Sequence, residues 1–234
     1  MTEIDDDNPV SDGGVDTRAS PGGLLDESGL SPERFAENTL GLDTLATLLN
    51  NPPLTRVYAY ICYWGPTTVP EVVEELDLSK STAYEYVDRL VECELVDREE
   101  STRPGELTAD PVAVVDPLGP AVVTPTVLHA FALGEIDDDV AFFLDRHGLG
   151  TLVAGLRGAG LYYAGRTTQR SVAAEIQIRD TEMMLLTEAL GPVLAVGRDH
   201  DPHFEYLFPD VASEMDLPDL TTTATTPPAP SEAE

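Results

Sequence analysis

The sequence predicts a mainly α fold with small β wings: an N-terminal winged helix-turn-helix, then a mostly helical C-terminal domain that is a candidate degenerate winged helix. Three observations predict it. Apolar residues recur at helical spacing through consecutive short stretches between residues 40 and 92. Two β-prone runs joined by an Arg-Pro-Gly turn follow at once. A shift of 100 residues then lays Tyr163 to Arg198 over Tyr63 to Arg98 with nine identities in 36 positions and no gap.

Residues 1–37 are rich in Asp, Gly, Ser and Pro and bury too little apolar surface to offset the entropy of ordering, so they read as a disordered acidic arm. Residues 38–118 form the winged helix-turn-helix, and 119–215 a helical assembly or sensor domain. Residues 216–234, with their Thr-Pro-Ala run, form a disordered tail. Asp116-Pro117-Leu118-Gly119-Pro120 marks the seam, because prolines and a glycine so close together interrupt both helix and strand.

In the first domain Leu40, Leu42, Leu45, Leu48 and Leu49 share a helix that ends at Asn50-Asn51-Pro52-Pro53. The second helix runs from about Leu54 to Trp64 and stops at Gly65-Pro66. Thr67 or Thr68 caps the third, Val69 to Leu76, and Asp77-Leu78 turns the chain. Ser79 caps the fourth, which continues to about Glu92 with Ala83, Val87, Leu90 and Val91 facing inward. Leu95 to Glu99 and Glu106 to Thr108 are the wing strands, turning through Thr102-Arg103-Pro104-Gly105.

The run from Val69 to Leu90, with its tight turn, its Ser-Lys-Ser-Thr helix start and the Glu-Leu-Val entry into the wing, resembles winged-helix transcriptional regulators of the MarR, ArsR and TrmB kind. The resemblance covers about a third of the chain. It implies that the fourth helix enters the major groove of double-stranded DNA while the wing follows the backbone. Ser79, Lys80, Ser81 and Thr82 sit where a helix N-terminus favours a phosphate oxygen. Tyr84, Glu85, Tyr86 and Arg89 project from the same helix. Arg89 suits guanine O6 and N7, and Glu85 suits cytosine N4. Arg98 and Arg103 on the wing are candidates for backbone or minor-groove contact.

Charge opposes this reading at first sight. The chain has 43 acidic and 13 basic residues, a net charge of −30, and Lys80 is its one lysine. Glu85, Asp88 and Glu92 stand where such regulators commonly carry basic residues, and Glu99 and Glu100 flank the wing arginines. The composition resembles that of proteins from halophilic archaea, which hold molar salt in the cytosol. At that ionic strength the Debye length is roughly 3 Å, so long-range repulsion from DNA is nearly extinguished. Base-edge and apolar contacts then have to supply more of the affinity, because each phosphate contact weakens with salt.

The expectation is a sequence-specific DNA-binding transcriptional regulator in a high-salt cytoplasm, acting as a homodimer. Its alternative is a tandem winged-helix adaptor between proteins, without sequence-specific DNA binding. In the second domain Met184, Leu185 and Leu186 replace Tyr84, Glu85 and Tyr86, and Asp180 replaces Lys80, so DNA reading is assigned to the first unit alone. Apolar helices around Val127 to Leu133, Val140 to Leu144 and Leu149 to Ala164 either form a dimer interface or close the domain's own core.

Cys62 and Cys93 lack metal or redox spacing and read as two buried thiols. His200-Asp201-Pro202-His203 lacks a third clustered ligand and reads as a surface loop. No catalytic or nucleotide-binding motif is present, so neither enzyme activity, cofactor nor metal is expected. The acidic N-terminus is not a signal peptide, and Arg157 and several glycines interrupt the longest apolar stretch, so no membrane span is expected. The operator and any small-molecule effector are not named by the sequence.

Overall fold

The computed structural model describes residues 42–99, 101, 103–115, 122–209 and 211–218. The predicted arm, the Asp116 to Pro120 seam, Leu40, Thr102 and the tail beyond Pro218 lie outside the described residues.

The first unit is built as its local signals require. Helices α1 (Leu42–Leu49) and α2 (Pro52–Trp64) meet at Asn51, whose side chain accepts the Leu54 N–H at 3.1 Å, while the two prolines occupy positions where a helix needs no N–H. Thr55 closes the corner by donating its hydroxyl to the Leu48 carbonyl at 2.6 Å. Leu54, Val57, Tyr58 and Ile61 fall on one face of α2 and are buried. Strand β1 (Thr67–Thr68) leads straight into α3 (Val69–Glu75), and after the turn comes α4 (Lys80–Glu92). Strands β2 (Val96–Glu99) and β3 (Glu106–Ala109) then form the wing.

The sheet has three antiparallel strands in the order β1-β3-β2. Its central Leu107 pairs with Thr67 on one side and Arg98 on the other, and its side chain is fully buried. The third strand, β1, was not predicted: Thr67 and Thr68 read only as alternative caps. Thr68 does cap α3, and both threonines also pair with a strand some 40 residues away, a contact no local pattern reports.

Beyond the wing, β4 (Val114–Val115) and β5 (Val122–Val123) pair antiparallel across the seam. Helix α5 (Pro125–Ala132) follows and serves two cores. Leu128 packs into the first core with Val57, Tyr58 and Leu90, whereas Val127 and Ala130 pack into the second.

Helix α6 (Asp138–Tyr163) is broken at Gly148, whose φ of 76° an L side chain rarely adopts, into segments 138–147 and 149–163. The break divides it near the predicted helix starts. Its buried Val140, Phe143, Leu152 and Leu156 belong to the second core, so these helices do close that core. Helices α7 (Gln169–Glu175) and α8 (Asp180–His200) complete it, with a short α9 (Phe204–Leu207). At Gly158 an added Cβ would lie 2.3 Å from a Val172 methyl, so α6 and α7 approach as closely as they do only because that position is glycine. Residues past the predicted tail boundary still pack: the Asp216 N–H donates to the Tyr163 carbonyl at 2.9 Å and Leu217 lies against the second core.

Candidate nucleic-acid interface

The two helices of the first helix-turn-helix are fixed by short-range bonds. The Glu71 carboxylate accepts from the hydroxyls of Thr67 and Thr68, each at 3.0 Å, and from the Thr68 N–H at 2.7 Å, and these bonds hold its carboxyl below the usual carboxylate range. Asp77 takes a left-handed conformation (φ 50°), and the Leu78 N–H returns to the Val73 carbonyl at 3.1 Å. Ser79 then caps α4, its Oγ accepting the Thr82 N–H at 3.1 Å and lying 2.9 Å and 2.7 Å from the hydroxyls of Ser81 and Thr82. The hydroxyl of Ser79 is thus part of the cap, while Ser81 and Lys80 stand exposed at the helix start.

Ala83, Val87 and Leu90 are fully buried, so the opposite face of α4 is open. Tyr84 is 40% exposed, and Glu85, Asp88 and Arg89 are exposed beside it. The Lys80 ammonium lies 6.0 Å from the centre of the Tyr84 ring. Tyr86, expected on the open face, is half-buried and packs against the first core, because it sits one residue from the buried Val87 and close to the stripe. The wing tip presents Arg103 to solvent. Arg98 is tied down instead, donating to Asp88 of α4 at 2.8 Å with a side chain only 29% exposed. This pair braces the wing against α4 and reduces the charge of both, a coupling between helix and strand that sequence spacing does not announce.

The 100-residue shift is reproduced in backbone detail over the helix-turn-helix. Thr168 caps α7 as Thr68 caps α3, accepting the Ser171 N–H at 3.2 Å. Gln177 (φ 60°) repeats the left-handed Asp77. The Ile178 N–H bonds the Ala173 carbonyl at 2.9 Å, as Leu78 bonds Val73. Val172, Met183 and Leu190 are buried as are Val72, Ala83 and Leu90.

The correspondence ends there. Helix α4 stops at Cys93, followed by a left-handed Glu94 (φ 57°), and the wing begins. Helix α8 continues to His200 because Val193 and Leu194 keep its stripe in the second core. Val196 and Arg198 are helical where Val96 and Arg98 are extended, so those two identities have no structural counterpart. The second unit has a helix-turn-helix, and among the described residues no wing follows it.

The His200 to His203 segment is not the surface loop expected. Asp201 is buried and its Oδ2 accepts from both the N–H (3.0 Å) and the hydroxyl (2.6 Å) of Thr126, while Oδ1 accepts the His203 N–H at 2.8 Å. It caps α5 from the far end of α8. His203 reaches the Pro111 carbonyl at 3.0 Å, and His200 lies tilted against Trp64 with ring centres 4.3 Å apart. Both cysteines are half-buried and free, and burial pushes the Cys62 thiol up to about 12, which removes nucleophilic character. Among the described residues no three His, Cys, Asp or Glu side chains gather as a metal site, and no helix is long and apolar enough to cross a membrane.

Residues 55–121 match the family model of the sugar-specific transcriptional regulator TrmB, a winged helix-turn-helix family. The match starts inside α2 and takes in α3, α4 and the wing. Residues 134–199 match a second family, of unknown function (DUF7437), which takes in α6, α7 and nearly all of α8. Neither a curated protein nor a solved structure matches the chain.

Proposed function

We propose, from the premise that residues 55–121 form a winged helix-turn-helix of the TrmB kind, that this protein is a sequence-specific DNA-binding transcriptional regulator. The observation that carries the proposal is the open face of α4 within a complete unit of helices α2, α3 and α4 and strands β1, β2 and β3. Lys80, Ser81 and Thr82 hold a phosphate at the helix start, while Tyr84, Glu85 and Arg89 meet base edges. Arg103 follows the backbone from the wing tip. Arg98 positions the wing through Asp88 and contributes to binding by that route.

A high-salt cytoplasm fits the acidic composition and explains how α4 carries Glu85 and Asp88 on its DNA side. Association as a homodimer, with two copies of α4 on successive half-sites, is supported by apolar surface left open on the second unit: Phe142, Met184 and Leu185 are 57%, 54% and 46% exposed. The same surface supports the adaptor reading, in which that face holds a different protein.

Binding and footprinting of genomic fragments in molar KCl test this. The native chain protects half-sites whose centres lie a whole number of turns apart, at multiples of about 10 base pairs. Lys80→Ala with Arg89→Ala loses selectivity about 5- to 150-fold, since one bidentate arginine–guanine pair contributes about 1–3 kcal/mol. Equal selectivity in both chains, or none in either, overturns the proposal.

A further inference from the structure

The arginines are not spread evenly along the chain. Residues 146–179 hold five arginines and one acidic residue, a net charge of +4, and the other 200 residues carry −34. The structure places four of these five arginines around the second helix-turn-helix, where Glu182, Glu214 and Asp180 bond Arg146, Arg166 and Arg170. Arg166 lies in the turn before α7, Arg170 on its first turn, Arg179 immediately before α8, and Arg146 reaches Glu182 of α8 at 3.5 Å. Arg170 is 85% and Arg166 is 55% exposed, and Arg179 is exposed with no ion pair among the described residues.

In the first unit the equivalent positions are Pro66, Pro70 and Ser79, and Lys80 is the cation beside the turn. In the second, Asp180 takes the place of Lys80, and Arg170 sits against it at 3.0 Å. The cation has moved from the second helix of the motif to the first. It has not been lost, as the substitution of Asp180 alone suggests.

We propose that the second helix-turn-helix is a DNA-backbone contact of its own, in which Arg170 and Arg179, with Arg166 beside them, bind phosphates of the same duplex that α4 reads. The inference rests on the DNA-binding reading given above and extends it to a surface assigned no function. The partner of Arg170 does not block it: Arg170 with Asp180 is an exposed, single-bonded pair, of a kind that contributes about 0–1 kcal/mol and is readily exchanged for a phosphate. Arg166 is held by Glu214 through two bonds, at 2.8 and 2.7 Å, and is the lesser contact. The contact is with backbone and not with bases. Glu182 is only 13% exposed, and Leu185 and Leu186 line a cleft with Phe142, Phe143 and His147, so the first half of α6 flanks the part of α8 that would have to enter a groove. One unit reads sequence and the other adds sequence-independent hold.

The test is anisotropy titration of the full chain with a random-sequence 40-base-pair duplex between 0.5 and 2 M KCl, for the native protein, Arg170→Gln with Arg179→Gln, Arg170→Lys with Arg179→Lys, and Lys80→Ala with Arg89→Ala. Two lost phosphate contacts make the salt slope shallower by about 2, a deficit of roughly tenfold at 0.5 M relative to 2 M. The lysine pair restores the slope, which a merely structural role for the arginines would not require, and the glutamine pair keeps the native preference among genomic fragments. An unchanged slope in a glutamine pair whose circular dichroism is native overturns the inference and leaves the function of α4 standing. Loss of all binding in Lys80→Ala with Arg89→Ala also overturns it, because the second surface would then hold nothing alone. Arginines that bind polyglutamate and not the duplex assign the patch to an acidic protein segment and overturn it likewise. A native chain that binds no DNA at any salt removes both readings together.

Discussion

Asp201→Ala destabilises the chain by about 3 kcal/mol, measured by denaturant titration at fixed KCl. The carboxylate is buried and accepts three hydrogen bonds, two of them from Thr126 in the first turn of α5. Truncation leaves the Thr126 N–H and hydroxyl unpaired in a site without water access, and each unsatisfied buried group costs about 1–3 kcal/mol. It also removes a negative charge from a helix N-terminus, where it interacts favourably with the backbone dipoles. Asp201→Asn retains an acceptor oxygen and loses about half as much. A cost below 1 kcal/mol for the alanine variant shows that the bonds to Thr126 contribute little.

The chain loses stability between pH 6.5 and 4 through His129. Its half-buried imidazole on α5 lies edge-on to Tyr63, with ring centres 5.5 Å apart, and its Nδ1 is shielded from solvent and finds no partner among the described residues. Burial, aided by the Arg56 charge, pulls its pKa from 6.5 down to about 4. A histidine depressed in the folded state binds its proton more readily when unfolded, so stability is full above the unfolded pKa and falls as the pH drops towards the folded one. The whole interval amounts to about 3 kcal/mol, from 1.36 kcal/mol for each pH unit. Stability measured from pH 7 to 4.5 in one KCl concentration therefore falls more steeply for the native chain than for His129→Leu. Parallel curves show that His129 takes up its proton without unfolding.

Local signals made the first helix-turn-helix legible. Thr68 with Glu71 and Ser79 with Thr82 are caps whose partners lie three residues apart, and α3 and α4 start where these caps say. Helix α2 starts at Pro52, two residues before the expected Leu54, because Asn51 caps it and both prolines fit its first turn. What stayed hidden depends on distant partners. Strand β1 exists because β3 is beside it, Arg98 is engaged because Asp88 is across from it, and Asp201 is buried because Thr126, 75 residues earlier, needs an acceptor. The repeat was legible as far as Leu190. Past that point identical residues fold differently, since Val193 and Leu194 continue the buried stripe where Cys93 and Glu94 end it. The relocated cation is legible in the same alignment, at Arg170 over Pro70 and Arg179 over Ser79, and not at position 180, which lies over Lys80.

Helix α5 lends one face to each core, with Leu128 in the first and Val127 and Ala130 in the second, and Asp201 fastens its start to the end of α8. The boundary written in the sequence at the seam is therefore not a thermodynamic one. Melting either half bares a face of α5 and withdraws packing from the other half, so calorimetry shows a single heat-absorption peak for the whole chain, with calorimetric and van't Hoff enthalpies in agreement.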